Sequence, residues 1–203
     1  MKHLIIYAHP NPDSFNHAIL EATIEQLTAL GAVVNVRDLY KLNFNPVLSL
    51  EDFRSKETGV VLPDVKVEQD FINEADKITF ISPIWWGLFP AMLKGYFDRV
   101  FTKDFAYAMI DHNYTGLLGE KKFGMFNTLD ATKEDMIRTG MSVAFNHIIN
   151  DGIFGFCNSP LCFHRIFYAI NSVGDQERLQ MLSEVKKEVE KFVLDPTYCP
   201  FFG

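Results

Sequence analysis

"HLIIYAHPNPDSFNHAILEATIEQLTALGAVVNVRDL", residues 3–39, carries the reading that decides the fold. The run HLIIYA is short and strongly apolar, as a strand buried on both faces is. A polar loop, HPNPDSF, follows at once, and NHAILEATIEQLTALG then takes up helical spacing. Asn16 is placed to cap that helix and Gly31 to stop it. Ile19, Leu27 and Leu30, with Ala22 and Thr23 between them, line one face. AVVNVRDL reads as a second strand. Strand, loop, helix and strand in that order form the βαβ unit from which parallel sheets are built.

The alternation continues along the chain. Residues 40–64 hold prolines, a glycine and scattered aromatics, and read as an irregular excursion. A helix is expected over 65–75, then KITFIS as a third strand and AMLKGYFDRVF as a third helix. KKFGMFNT supplies a fourth strand, residues 133–148 a helix, and GIFGFC (152–157) the fifth strand. The last helix, DQERLQMLSEVKKEVEKFV, sets Leu179, Leu182, Val189 and Phe192 on one stripe. The expected class is α/β, a doubly wound five-stranded parallel sheet with helices on both faces. It forms one domain over 1–203, with excursions near 40–64 and 103–118 and a helix plus tail over 175–203. The tail aromatics are expected to pack on the body or on a partner. In such folds ligands sit outside the carboxyl ends of the strands. Residues 8–16, 83–90 and 127–132 all follow predicted strands there.

Composition narrows the function. The 203 residues are 48% hydrophobic and carry a formal net charge of -7, with basic residues scattered among acids. That balance offers no surface for nucleic acid. No apolar run reaches membrane-spanning length, and MKHLIIYAH turns polar too soon for a signal peptide, so cytoplasmic residence is expected. Cys157, Cys162 and Cys199 make no CxxC pair and, with scattered histidines, spell no zinc site. Packing is their default role.

The three loops differ in what they offer. The first has neither GxGxxG nor a Walker pattern. It sets His9, Ser14 and Asn16 at a helix start, where hydroxyl, amide and free backbone N–H groups can hold a phosphate. The plainer alternative is a capped helix with a packed histidine. SPIWWGLFP crowds Trp85 and Trp86 into a proline-bounded turn. It suits the apolar wall and polar edge of an isoalloxazine ring, or else an aromatic plug. NTLDATKED offers hydroxyl, amide and carboxylate groups, though Thr132 with Asp135 also reads as a capping box. No nucleophile has a base near it in sequence.

These pieces, in order, resemble the NAD(P)H:quinone oxidoreductases of the flavodoxin-like superfamily. The likeness is carried by IYAHPNPDSFNHAI, DLYKLNFNPVLS, ADKITFISPIWWGLFPAMLKGYFDRVFTKDFAY, GIFGFC and YAINSVGDQERLQMLSEVKKEVEKF, which span nearly the whole chain. The resemblance implies strand order 2-1-3-4-5 and bound FAD, with FMN as the alternative. NADH or NADPH would be the cosubstrate, with ping-pong hydride transfer to a quinone-like acceptor. It implies that His9, Ser14, Phe15 and Asn16 hold the flavin phosphates and that Pro83, Ile84, Trp85, Trp86 and Gly87 run along the ring. Asn127, Thr128, Leu129 and Asp130 would meet the ring edge, with backbone N–H groups near 128–130 stabilising its reduced charge. Arg178 would lie near the FAD pyrophosphate or adenosine. Tyr107 and Phe156 would line an acceptor pocket shared across a homodimer. The aromatics Phe101, Phe105, Tyr107 and Tyr114 support that interface, since a monomer would otherwise expose an apolar patch, or else they form a satellite core under a loop.

Several positions depart from the family pattern. Gly87 stands where relatives carry phenylalanine, and Leu129–Asp130 replace a glycine pair. The tyrosine and histidine that mammalian members place beside the flavin have no counterpart, and His147 is expected to face helix packing. The alternative function is a flavodoxin-like binding or regulatory protein, such as an accessory subunit of a transporter, with slow turnover.

Overall fold

The computed structural model describes residues 1–159 and 161–198. Five parallel strands form the main sheet: β1 (Lys2–Tyr7), β2 (Val33–Asp38), β3 (Lys77–Pro83), β6 (Lys122–Thr128) and β7 (Leu161–Phe167). Their order is β2-β1-β3-β6-β7, so the main-sheet strands run 2-1-3-4-5 as expected. β4 (Tyr107–Ile110) and β5 (Asn113–Gly116) make a separate antiparallel hairpin.

Both faces of the sheet are covered, as its continuous apolar strands require. On one face α1 (Phe15–Ala29) and α7 (Asp175–Leu194) bury Ile19, Leu27, Val185, Val189 and Phe192 against Ile5, Ile81 and Phe126. The other face carries α3 (Pro63–Glu74) and α4 (Ala91–Val100), with Ile72, Leu93 and Tyr96 packed on Leu4, Ile78 and Phe80. The predicted α7 stripe holds except at Leu179, which is 68% exposed. Leu179 lies one turn from the helix start, beyond the sheet's cover.

The excursion after β2 contains one short helix, α2 (Leu50–Thr58). Its anchor is Arg99 of α4, buried and bonded to Asp52 Oδ1 at 2.9 Å, Asp64 Oδ2 at 2.6 Å and the Asn45 carbonyl at 2.9 Å. Gly95 lets Pro46 lie against α4: a Cβ there would come 2.1 Å from the Pro46 carbonyl oxygen. A buried arginine needs such partners, because an unpaired charge is costly in the interior.

Three expectations are corrected. GIFGFC is not a strand: Ile148–Gly155 is a π-helical segment following α5 (Lys133–Arg138) and α6 (Met141–His147). It buries Ile149 and Phe154, and a short apolar run cannot by itself be told from a buried helix. The fifth strand lies later, at LCFHRIF, where His164 and Arg165 interrupt the apolar pattern. His147 faces outward and meets Asp151 Oδ2 at 2.6 Å, both side chains being mostly exposed. Phe101 and Phe105 pack on the core, while Tyr114, Met109 and Ile110 stay exposed. Cys157 is a buried free thiol. Tyr198 of the tail packs on the α1–α7 side, and the tail aromatics Phe201 and Phe202 lie outside the described residues.

Two histidines, buried His3 and half-buried His164, make stability depend on pH. Burial holds His164 down to about 4 and His3 down to about 3, with Lys77 adding to the latter. Both are therefore neutral when folded and take protons on unfolding below about 6.5. Stability should fall as pH drops from about 6.5 towards 4, by about 1.4 kcal/mol per pH unit for each histidine. Urea unfolding at pH 7 and pH 5 checks this. The His164→Gln variant should lose less stability between those two values than the wild type.

Candidate flavin site

The carboxyl ends of β1, β3, β6 and β7 surround a cavity of about 510 Å3. Its floor is tied together by Thr128. The Thr128 hydroxyl accepts from Asn16 Nδ2 at 2.7 Å, and its carbonyl accepts from Ile84 N at 2.8 Å. Three loops from distant parts of the chain thus meet at one residue.

The first wall is the start of α1. Ser14, not Asn16, is the cap: its hydroxyl accepts from His17 N at 3.2 Å. Asn16 sits in the first helical turn, buried, with its amide committed to Thr128. The backbone N–H groups of Phe15 and Asn16 belong to the opening turn, which has no partners within the helix. No acidic residue lies in that turn, so the helix end is free to favour an anion. Burial lowers the pKa of His9, partly opposed by its bond to the Asn11 backbone, so the ring works as a neutral hydrogen-bonding group. It lies edge-on to Trp85 at 5.7 Å.

The second wall is the turn after β3. Trp85 and Leu88 exchange backbone hydrogen bonds of 2.8 and 3.1 Å around Trp86 and Gly87. Both central residues have positive φ, 54° and 77°, as a two-residue primed turn demands. That requirement accounts for glycine at position 87. A Cβ there would also meet Met141 Cε at 2.7 Å. Trp86 projects fully into solvent, at 104% exposure. It is therefore no plug of the core.

The structure brings together in one cavity His9, Ser14, Phe15, Asn16, Pro83, Ile84, Trp85, Thr128, Leu129, Asp130 and Arg178. Trp86 and Gly87 are not among the lining residues. Asn127 lies beneath the site: its amide nitrogen donates to the Ser82 carbonyl at 2.9 Å and its oxygen meets His164 Nε2 at 2.8 Å. Tyr107 and Phe156 meet each other at 5.0 Å on the hairpin side, outside the cavity. Ile170 and Asn171 also line it and were missed, since they follow the true fifth strand. The expected donors at 128–130 are fewer than supposed, because Leu129 N–H is used by the Phe167 carbonyl at 2.9 Å.

The donor set fits a flavin nucleotide. Two buried polar atoms of lining residues, Asn16 Oδ1 and Arg178 Nε, have no protein partner. Such atoms are rare unless a ligand or water completes them. Arg178 Nη2 also donates to the Ile170 carbonyl at 3.0 Å, which fixes the guanidinium. Among the described residues no group of histidine, cysteine and carboxylate side chains suits a metal ion, and no helix is long and apolar enough to cross a membrane.

Residues 1–192 match the flavodoxin-like fold family. The chain belongs to that family. It is 39% identical to an uncharacterized NAD(P)H oxidoreductase of Haemophilus influenzae over 90% of this chain and 91% of that one. NAD(P)H dehydrogenase [quinone] 1 of Rattus norvegicus is 31% identical over 92% of this chain and 76% of its own. Among solved structures, the NAD(P)H:quinone oxidoreductase from Methanothermobacter marburgensis superposes with a TM-score of 0.83 at 30% identity, covering 95% of this chain and 98% of that one. The resemblance read from the sequence is borne out, and this flavodoxin-like chain is an oxidoreductase.

The turn geometry makes a test. Trp86→Asn should change stability by less than about 1 kcal/mol, because asparagine tolerates the left-handed region and no core contact is lost. Gly87→Ala should cost about 1–2 kcal/mol or more from its φ alone. Urea unfolding without added flavin compares the two. A loss of about 3–5 kcal/mol at Trp86, the range for a buried aromatic, contradicts the exposed turn.

Proposed function

We propose that the protein binds a flavin in this cavity and oxidises NAD(P)H, delivering the electrons to a quinone or similar electrophilic acceptor. The unpartnered buried atoms of Asn16 and Arg178 carry the reading. They sit in a cavity at the switch end of the sheet, one beside a helix start and the other beside the β7 loop. FAD is preferred to FMN because Arg178 and Asn171 extend the cavity beyond the Ser14–Asn16 phosphate cradle.

When bound there, a flavin would supply two-electron hydride chemistry between NAD(P)H and an acceptor that use one place in turn, as a ping-pong mechanism requires. The chain supplies position and polarity. Ser14, Phe15 and Asn16 present the helix start to phosphate. Pro83, Ile84 and Trp85 form an apolar wall for the ring. Leu129 adds a second apolar surface, and Asp130 brings a carboxylate to the rim. A carboxylate there disfavours anionic acceptors and leaves neutral quinones acceptable.

The acceptor side is proposed to be completed by a second copy. Tyr107, Tyr114 and Phe156 form a cluster with centroids 5.0–6.0 Å apart. Tyr114 is 63% exposed, as are Met109 and Ile110 at 50% each on the same hairpin. An isologous dimer would cover that patch. The whole chain is proposed to act as one flavodoxin-like domain, in the cytoplasm.

The purified protein should be yellow, and the flavin released from it should chromatograph as FAD. It should oxidise NADH or NADPH with menadione as acceptor, and sediment as a dimer. Tyr107→Ala should lower turnover more than it lowers the melting temperature. A protein that takes up neither flavin refutes the proposal. Bound flavin with negligible turnover, and co-purification with a membrane partner, favours the accessory role instead.

A further inference from the structure

His9 is shared between the flavin cavity and a second one. The second, of about 310 Å3, is lined by Tyr7, His9, His17, Asp38, Tyr40 and Lys41, with prolines of the β1–α1 loop. Since β2 neighbours β1 on the side away from β3, this cavity opens on the β2 side of the loop. The flavin cavity lies over β1, β3, β6 and β7 and reaches Arg178 in the other direction. A flavin extended towards Arg178 leaves the β2 side to a different nucleotide.

We propose that this second cavity holds the adenosine end of the nicotinamide cosubstrate and selects NADH over NADPH. The inference rests on the reductase reading above. Asp38 closes β2 and is fixed by its own turn: Oδ1 accepts from Tyr40 N at 3.2 Å and from Lys41 N at 3.1 Å. Both bonds fall on one oxygen, so Oδ2 remains to accept from a ribose. A fixed carboxylate at the carboxyl end of the second strand suits free ribose hydroxyls and repels a 2′-phosphate. The rings of Tyr7 and His17 meet at 6.0 Å, and with Tyr40 and the prolines they give flat apolar walls for a purine. The Tyr7 hydroxyl is buried near the Ser14 side chain, without a well-formed hydrogen bond. Exposed Lys41 can meet the pyrophosphate. The Asn11 backbone lies 3.1–3.2 Å from His9 Nδ1 and fixes the ring. Nε2 is then left to a ligand on the wall between the two cavities.

The test uses flavin-saturated protein and two readouts. Calorimetry follows ADP-ribose binding to the wild type, Asp38→Asn and Lys41→Ala; asparagine keeps an oxygen for the turn amides, so the loop is preserved. Binding should be measurable in the wild type and several-fold weaker in both variants. Kinetics then compare NADH, NADPH and reduced nicotinamide mononucleotide, which lacks the adenylate. The wild type should show the lowest KM for NADH. Asp38→Asn should raise the KM for NADH and narrow the preference over NADPH. Equal KM values for NADH and the mononucleotide overturn the proposal, as does ADP-ribose binding indifferent to both substitutions. If no dihydronicotinamide is oxidised at all, the reductase reading fails. The ADP-ribose titration then judges the cavity by itself, and absence of binding sinks it.

Discussion

The hydrogen bond between Asn16 and Thr128 joins residues 112 positions apart, in the core of the site. It links the first helix to the end of the interior strand β6. The same threonine receives Ile84 through its carbonyl. If this joint were loose, the helix start and the aromatic turn would shift independently, and a misplacement of about 1 Å is enough to spoil hydride geometry. Because the joint is buried, water does not compete for it, and losing one partner would leave the other unsatisfied.

One layer below lies a second polar strut. Ser82, Asn127 and His164 form a chain across β3, β6 and β7. His164 stays neutral there because burial opposes its charge. This arrangement keeps the sheet ends in register without placing a net charge under the cavity. Asn127 supports the site without touching it, and the ring contact of His164 with Phe145 extends that support towards α6.

The sequence made the βαβ start legible because HLIIYA and the helix after it differ so sharply in period. It made the loop residues legible too, since three predicted strand ends converge in any such sheet. The fifth strand was hidden for a physical reason. LCFHRIF carries His164 for the polar strut and Arg165 for an ion pair with Glu188 at 2.6 Å, and both interrupt an apolar run. GIFGFC looked more like a strand, yet its glycines and buried Phe154 serve the π-helical segment. The error moved one loop, and with it Ile170 and Asn171 dropped out of the expected site. The cap of α1 was misread because Asn16 has a tertiary partner 112 positions away that no local pattern reveals.

The departures from the family pattern each have a local cause. Gly87 is what a two-residue primed turn needs, and it leaves room for Met141 where a larger side chain would collide. Leu129 packs on the core, and its backbone is stitched to Phe167 and Ile170 by bonds of 2.9 and 3.2 Å. The loop that glycines would leave open is thereby held against β7, and Asp130 is turned to the exposed rim. Substitutions at these positions reshape the walls of the cavity and the charge at its entrance. The helix start at Ser14–Asn16 and the Thr128 joint do not depend on either position. On the proposed function, cofactor retention and acceptor choice would be governed by different residues, so that acceptor choice could vary while a flavin stayed anchored.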